Sequence, residues 1–148
     1  MHPLLKTAAT QTQNAVTAAH RAAYRATGGR VGGSFGRLHM LLLTTTGART
    51  GNKRVQPLLY TMDGERYVLI ASNGGAPRHP AWFLNLRAHP LAEVQVGGRV
   101  VRVRAREAKQ EERERLWQQM AAVWPLYNGY QHRADRQIPV VLLEPTTN

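Results

Sequence analysis

Residues 44–54, with the sequence TTTGARTGNKR, combine the residue types that bind anions. Glycine lets backbone N–H groups turn toward an anion, threonine hydroxyls add hydrogen-bond donors, and Arg49, Lys53 and Arg54 neutralise negative charge. The glycine spacing matches neither a Walker loop nor a dinucleotide-binding fingerprint. The segment is therefore interpreted either as a site for a phosphorylated ligand or as a solvated basic loop between two strands.

Residues 71–86, ASNGGAPRHPAWFLNL, place Ser72, Asn73 and two glycines where a strand is predicted to end. Backbone at such a position can approach a flat ligand closely, because glycine has no side chain in the way. Trp82 and Asn85 then share one face of a predicted helix. The alternative interpretation is a flexible connection followed by a core-packing tryptophan.

Residues 124–130, WPLYNGY, carry an aromatic residue at every third position, namely Trp124, Tyr127 and Tyr130. Such a wall can hold a flat apolar substrate, with a phenol available as a proton donor. A small apolar cluster packed beneath a loop would use the same residues. The pattern therefore leaves a substrate wall and a structural cluster as open alternatives.

Several kinds of chemistry are excluded by what the sequence lacks. It has no cysteine, and its six histidines include no HxH or HxxxH pair. No acidic cluster suits a hard cation, and no serine lies in a nucleophile-elbow context. No metal site is therefore predicted, and the chemistry is expected to come from a bound cofactor.

The elements that position these segments change from helix to strand after a glycine-rich stretch. Residues 7–27 contain neither glycine nor proline and carry apolar residues at helical spacing, which predicts an N-terminal helix. The dipeptides at residues 63–64 and 97–98 predict hairpin turns. Strands are predicted at residues 39–45, 55–61, 67–72, 94–96, 100–107 and 138–145, helices at 82–89 and 111–124, and an aromatic loop or short helix at 124–130.

Six mostly antiparallel strands with helices inserted between them favour a closed or partly open β-barrel, because they must bury an apolar face. No repeat, low-complexity stretch or linker divides the 148 residues. We therefore predict an α+β fold, in which residues 1–148 form one barrel domain with residues 1–30 as an N-terminal helical extension.

The charge of the chain is high and unevenly distributed. Lys and Arg total 20 against 9 acidic residues, which gives a net charge of +11, and the first carboxylate is Asp63. An anionic partner is therefore expected, either nucleic acid, an anionic membrane surface or a phosphorylated small molecule. No apolar run approaches the ~20 residues that span a membrane, and the first residues lack the apolar core of a secretory leader, which favours a cytoplasmic location.

Nucleic acid and a membrane surface are the two macromolecular alternatives to a phosphorylated small molecule. Arg102, Arg104 and Arg106 alternate with apolar residues along one strand, and such a guanidinium ladder can bind nucleic acid. The aromatic residues do not interleave with this ladder, so the favoured prediction is no nucleic acid. Residues 4–26 predict at most a weak peripheral membrane attachment, because their apolar face consists largely of alanine.

From about Leu38 to Pro145 the sequence resembles the deazaflavin-dependent nitroreductases, the actinobacterial branch of the flavin and deazaflavin oxidoreductases that use coenzyme F420. The resemblance rests on LLLTTTGARTGNKRVQPLLYTMDGERYVLIASNGGAPRHPAWFLNLRAHP followed by WPLYNGYQHRADRQIPVVLLEP. It implies a split β-barrel, which agrees with the predicted strand order. It also implies hydride transfer from C5 of the reduced deazaflavin to an electron-poor acceptor such as an enone, a quinone, a lactone or a nitroaromatic compound.

The resemblance further implies which residues bind the coenzyme. Arg49 and Arg54 would bind its phosphate region, residues 54–59 would flank it, residues 70–73 would meet its ring through the backbone, and residues 81–85 would complete the pocket. The implied cofactor-binding residues are Ala48, Arg49, Thr50, Arg54, Val55, Gln56, Pro57, Leu58, Leu59, Ile70, Ala71, Ser72, Asn73, Ala81, Trp82, Phe83, Leu84, Asn85 and Tyr127.

The implied substrate wall consists of Leu59, Trp124, Tyr127 and Tyr130. Tyr127 is the implied catalytic residue, which orients the substrate or supplies the proton. Leu59 and Trp124 stand where the best-known nitroreductase has tyrosines, and Asn73 stands where it has a lysine. The phosphate loop is thus kept while the substrate wall is altered, which favours the coenzyme over any particular nitro substrate. A related barrel that binds flavin mononucleotide or haem is the alternative.

Overall fold

Short runs of leucine, valine and threonine form the strands of this protein. The computed structural model describes residues 34–35 and 38–146, so the predicted helix at residues 7–27 and the extension of residues 1–30 lie outside the described residues. The strands are β1 (Ser34–Phe35), β2 (Leu38–Thr46), β3 (Lys53–Asp63), β4 (Arg66–Ile70), β5 (Leu91–Val96), β6 (Arg99–Glu107) and β7 (Val140–Pro145). The helices are α1 (Ala81–Ala88), α2 (Gln110–Val123) and α3 (Leu126–Arg133), with a 3-10 turn at Asn73–Gly75.

The strands form one antiparallel sheet that closes on itself. Their order is β1, β2, β3, β4, β7, β6 and β5, and β5 pairs again with β2. In the closing pair, Leu43 lies opposite Val94 and Thr44 lies opposite Glu93. Strands β2 to β7 therefore form a six-stranded barrel with flanking helices, which confirms the predicted α+β split barrel.

Strands β4 and β7 are buried on both faces. Leu69 and Leu143 point into the apolar barrel interior. Val68 and Leu142 face the opposite way, into a second cluster where α2 and α3 cover the barrel. Burial on two faces explains why both strands have a continuous apolar sequence. Each of these leucine and valine side chains stabilises the fold by ~1.5–3 kcal/mol.

The structure differs from the predicted element boundaries next to the candidate segments. Strand β4 ends at Ile70, because Asn73, Gly74 and Gly75 all have positive φ and turn the chain away from the sheet. Strand β5 begins at Leu91 rather than at residue 94, and Leu91 is exposed, which hides the strand in the sequence pattern. The aromatic segment forms helix α3, the second of its two predicted alternatives.

Candidate functional site

The predicted anion-binding segment forms the loop between β2 and β3. The N–H of Gly47 donates to the carbonyl of Asn52 at 2.7 Å, and the N–H of Gly51 donates to the carbonyl of Gly47 at 2.9 Å. A Cβ on Gly47 would lie 3.0 Å from the hydroxyl oxygen of Thr50, and Gly51 has a φ of +73°. The turn therefore requires both glycines, and it leaves Arg49 and Thr50 exposed.

Asn85 of α1 holds this loop against the helix. Its Oδ1 accepts a hydrogen bond from the N–H of Ala48 at 2.9 Å, and its Nδ2 donates to the hydroxyl of Thr45 at 3.1 Å. The side chain is 7% exposed, and Trp82, one turn earlier on α1, is equally buried. Because the protein engages both ends of its amide, Asn85 fixes the shape of the loop.

A groove of about 470 Å³ runs between this loop, β3 and α1. Arg49 and Arg54 lie along the groove, and both are exposed. Exposed guanidinium groups beside a glycine-containing loop suit a phosphate or a carboxylate. The groove is lined by Thr45, Gly47, Ala48, Arg49, Thr50, Arg54, Val55, Gln56, Ala81, Trp82, Leu84 and Asn85.

A second cavity of about 420 Å³ adjoins the groove. Gln56, Ala81 and Trp82 line both spaces, so the two form one elongated trench. Leucine and isoleucine side chains with glycine-containing backbone suit a flat ring better than a charged group. The second cavity is lined by Gln56, Leu58, Leu59, Leu69, Ile70, Ser72, Asn73, Gly74, Pro80, Ala81, Trp82 and Tyr127.

Tyr127 of α3 lines the second cavity from a buried position. Its side chain is 6% exposed, and its ring centroid lies 6.3 Å from that of Trp117 and 6.1 Å from that of Tyr130. Burial, with a smaller contribution from Tyr130, raises the pKa of the Tyr127 phenol above its usual range. The phenol is therefore protonated at neutral pH and acts as a hydrogen-bond donor.

Most of the predicted site residues line this trench. The five that do not are Pro57, Ala71, Phe83, Trp124 and Tyr130. Phe83 instead packs in the barrel interior. Trp124 and Tyr130 are partly buried and pack against the outer apolar cluster that contains Tyr127. Of the three predicted wall residues, Tyr127 thus lines the trench, and the assignment of Trp124 and Tyr130 to the substrate stays a prediction.

Arg136, between α3 and β7, is a residue of this region that the sequence interpretation missed. Its guanidinium donates to the carbonyl oxygens of Ser72 at 2.9 Å and Ala76 at 3.1 Å. These partners lie 64 and 60 positions away, and they are backbone atoms, so no pattern of residue types indicates the contact. The only signal was the place of Arg136 inside the second segment that resembles the reductases.

The predicted guanidinium ladder of β6 is partly neutralised. Arg106 contacts Glu112 at 2.6 Å and Glu144 at 2.8 Å. Arg102 and Arg104 line a separate cavity that also includes the carboxylate residue Glu93. The ladder therefore does not present a uniform row of cations.

Two features that the described residues lack bear on function. Among residues 34–35 and 38–146, no three histidine, aspartate or glutamate side chains are grouped closely enough to hold a metal ion. The helices of that same part of the chain are all too short or too polar to cross a membrane.

Comparison with known proteins identifies relatives over most of the chain. Residues 16–145 match the model of a family described as F420H(2)-dependent quinone reductase. The F420H(2)-dependent quinone reductase Rv1261c of Mycobacterium tuberculosis (strain ATCC 25618 / H37Rv) is 42% identical over 128 residues, which are 84% of this chain and 86% of that protein.

Two solved structures have a similar fold, and they differ in how closely their sequences match. A structure described as an F420-H2 dependent reductase matches with a TM-score of 0.66 at 42% identity, covering 71% of this chain and 93% of that chain. The haem storage protein HutZ from Vibrio cholerae matches with a TM-score of 0.54 at 14% identity, covering 74% of this chain and 82% of that chain. At 14% identity the likeness shows a shared fold alone.

Proposed function

The chain belongs to the F420H(2)-dependent quinone reductase family, and from that premise we propose that it reduces quinones in the trench between β3, α1 and α3. This membership confirms three predictions from the sequence: the family, the class of F420H2-dependent reductase and the coenzyme, reduced F420. The quinone acceptor is our proposal, and enones, lactones and nitroaromatic compounds stay predictions.

The two halves of the trench match the two chemical parts of the coenzyme. A deazaflavin coenzyme joins a flat ring to a phosphodiester and a tail of glutamates, which makes it a multiply charged anion. Arg49 and Arg54 supply fixed positive charge along the groove, which supports binding of the phosphate there. Leu58 and Ile70, with the backbone at Ser72, supply an apolar slot for the ring in the second cavity.

When bound, the reduced coenzyme supplies the hydride, and the protein has to bring the acceptor alongside it and exclude water. Leu59 and Tyr127 line the second cavity and form the proposed acceptor wall. Both present apolar surface, which favours a flat quinone over a charged acceptor. In this proposal Trp124 and Tyr130 do not contact the acceptor, because they pack against the outer apolar cluster and do not line the cavity.

The phenol of Tyr127 can donate a hydrogen bond and a proton to a quinone oxygen. Conversion of a quinone to a hydroquinone takes one hydride and one proton. The raised pKa keeps the phenol of Tyr127 protonated, so it donates a hydrogen bond to the oxygen on which negative charge develops. We propose that this phenol passes its proton to that oxygen while solvent protonates the phenol in the same step, because burial disfavours a free tyrosinate.

The observation that carries the proposal is the continuity of a basic groove with an apolar cavity across Gln56, Ala81 and Trp82. The test mixes the full chain with the reduced coenzyme and, in separate reactions, with a quinone, an enone, a coumarin-like lactone and a nitroaromatic compound. Oxidation of the coenzyme is followed by absorbance, with protein-free reactions as controls. The proposal expects the highest kcat/KM for the quinone. Turnover of another class with no quinone turnover overturns it.

Coenzyme choice is tested by direct binding. Fluorescence titration with F420 and with flavin mononucleotide compares the two ligands on the same protein. We expect saturable binding of F420 that weakens as salt is added, because the groove binds an anion through exposed cations. If the protein binds flavin mononucleotide but not F420, the alternative of a flavin-binding barrel is supported instead.

A further inference from the structure

We infer that Arg136 is a positioning residue that holds the ring-binding edge of the trench in shape. The edge is the segment of residues 71–79, which includes Ser72, Asn73 and Gly74 of the second cavity. The link from this shape to hydride transfer rests on the proposed function. The shape itself is a property of the protein alone.

The edge segment has little regular structure to support it. Asn73, Gly74 and Gly75 have φ values of 48°, 65° and 84°, all in the left-handed region. Inside the segment, the backbone N–H of Gly75 donates to Ser72 and that of Ala76 donates to Asn73. A short turn of this kind orders few atoms by itself, so contacts from outside the segment must determine its shape.

The guanidinium of Arg136 supplies several of those contacts. Its Nη2 donates to the carbonyl of Ser72 at 2.9 Å and its Nε to the carbonyl of Ala76 at 3.1 Å. Weaker contacts at 3.3 and 3.4 Å reach the carbonyl of Ala71. A planar guanidinium presents its donors in a rigid fork, so one side chain binds carbonyls at the start and in the middle of the segment.

The same guanidinium also sets the state of His79. Nη1 of Arg136 lies 3.0 Å from Nδ1 of His79, and because a guanidinium has no acceptor, Nδ1 must accept. Burial lowers the pKa of His79, and the positive charges of Arg136 and Arg87 lower it further against a smaller opposite effect of Glu107. The imidazole is thus neutral and protonated at Nε2, and its ring centroid lies 4.8 Å from that of Phe83, with the two ring planes tilted by 48°.

Arg136 is itself held in place by two side chains. Nε2 of Gln131 donates to the carbonyl of Arg136 at 2.8 Å, and Oε1 of Gln131 accepts from the N–H of Ile138 at 2.8 Å. Arg113 of α2 donates to the carbonyl of Ile138, also at 2.8 Å. The loop before β7 is therefore hydrogen-bonded to side chains of α2 and α3. The Arg136 side chain of the same loop is hydrogen-bonded to the edge segment.

The test compares Arg136→Met and Arg136→Lys with Arg78→Met as the matched control. Arg78 is an exposed arginine of the same segment, and among the residues that the structure describes only its backbone carbonyl takes part in a hydrogen bond, from the side chain of Asn73. Each methionine variant removes one positive charge. Arg136→Lys keeps the charge and loses the fork, so it separates hydrogen-bond geometry from electrostatics.

The first measurement is amide hydrogen exchange of residues 71–79 in the coenzyme-free protein, with the barrel strands of the same sample as reference. We expect both Arg136 variants to exchange about tenfold faster in this segment, while the strands and the Arg78→Met control are unchanged. The second measurement is the Kd for F420, which we expect to rise about tenfold in both Arg136 variants and to stay within about twofold in the control.

The possible outcomes distinguish the positioning role of Arg136 from the proposed function. Normal exchange of the segment in Arg136→Met overturns the inference, as does full protection in Arg136→Lys. Faster exchange of the strands and of the segment alike in both variants assigns Arg136 to global stability and also overturns it. If the unaltered protein fails to bind F420, the proposed function fails, and the exchange experiment still decides the role of Arg136.

Discussion

The Oδ1 of Asn85 accepts a hydrogen bond from the backbone N–H of Ala48 at 2.9 Å, and this bond ties helix α1 to the tip of the basic loop. The other end of the same amide reaches the hydroxyl of Thr45, at the end of β2. One buried side chain therefore links a strand, a loop and a helix that all line the groove. The resemblance implied that Asn85 binds the coenzyme, which stays a prediction; in the structure its amide bonds to Ala48 and Thr45 while the residue lines the groove.

The first prediction concerns the substitution Asn85→Leu. It leaves the N–H of Ala48 and the hydroxyl of Thr45 without their partner, and it should lower the free energy of unfolding by ~1–3 kcal/mol. The loosened loop should also weaken F420 binding. Urea unfolding and fluorescence titration measure the two effects. Ala88→Leu, at an exposed position of the same helix, is the control. Unchanged stability and affinity would assign the amide no positioning role.

The second prediction concerns the cations of the groove. Arg49→Gln and Arg54→Gln should each weaken F420 binding about tenfold, because each removes a charge-assisted contact to the anionic part of the coenzyme. The residual affinity should depend less steeply on salt. Arg102→Gln removes the same charge from a separate cavity and should have no more than a twofold effect. Equal losses in all three variants would point to the overall charge of the protein rather than to a site.

The third prediction concerns Tyr127→Phe. Loss of the phenol should lower kcat with quinones by ~10²-fold, with the Kd for F420 unchanged. Because burial raises the pKa of Tyr127 above the ordinary 10.0, the activity of the unaltered enzyme should not fall through ionisation of this group below pH 10. Full turnover by Tyr127→Phe would identify solvent as the proton source.

The same pKa shift has a consequence for stability. Above pH 10.0 the unfolded chain releases the Tyr127 proton while the folded chain retains it, so the unfolded state binds fewer protons and stability falls as pH rises. Tyr127→Phe should therefore flatten the loss of stability above pH 10, as measured by urea unfolding between pH 9 and pH 11. A parallel loss in both proteins would contradict the raised pKa.

The fourth prediction compares two neighbouring glycines. Both have left-handed φ, but a Cβ on Gly75 would lie 2.9 Å from the carbonyl oxygen of Tyr130, whereas a Cβ on Gly74 meets nothing within 4 Å. Gly74→Ala carries only backbone strain, of ~1 kcal/mol. Gly75→Ala adds a collision with α3 and should lower the free energy of unfolding by about 2 kcal/mol more. Equal losses would show that the edge segment is free to move away from the helix.

The parts of the fold that depend on neighbouring residues could be predicted from the sequence. The Asp63-Gly64 hairpin is present, with Asp63 opposite Arg66 and a φ of +62° at Gly64, because turn chemistry acts within four residues. The strands also follow from local apolar patterns. The bends at Asn73 and Gly75 end β4 earlier than its apolar run suggests, and no pattern of period two contains that information.

The site was less accessible to sequence reasoning. Basic residues and glycines indicated the groove, but the bond between Ala48 and Asn85 spans 37 positions and involves one backbone atom. Phe83 was implied in the pocket by its place between Trp82 and Leu84, whereas helical geometry turns it into the barrel interior. Arg136 bonds mainly to carbonyl oxygens, which every residue has, so its partners were not identifiable from residue types.

The unequal burial of Ile70 and Leu59 divides the trench into a part that resists substitution and a part that tolerates it. Ile70 is 6% exposed and belongs to the outer apolar cluster beneath α2 and α3, so a change of its size disturbs close packing there. Leu59, on the neighbouring strand β3, is half-exposed and packs only against the border of the same cluster. Acceptor preference can therefore diverge at Leu59 with little penalty to folding, while the coenzyme side stays constant. A library randomised at Leu59 should keep most of its members folded, and one randomised at Ile70 should not.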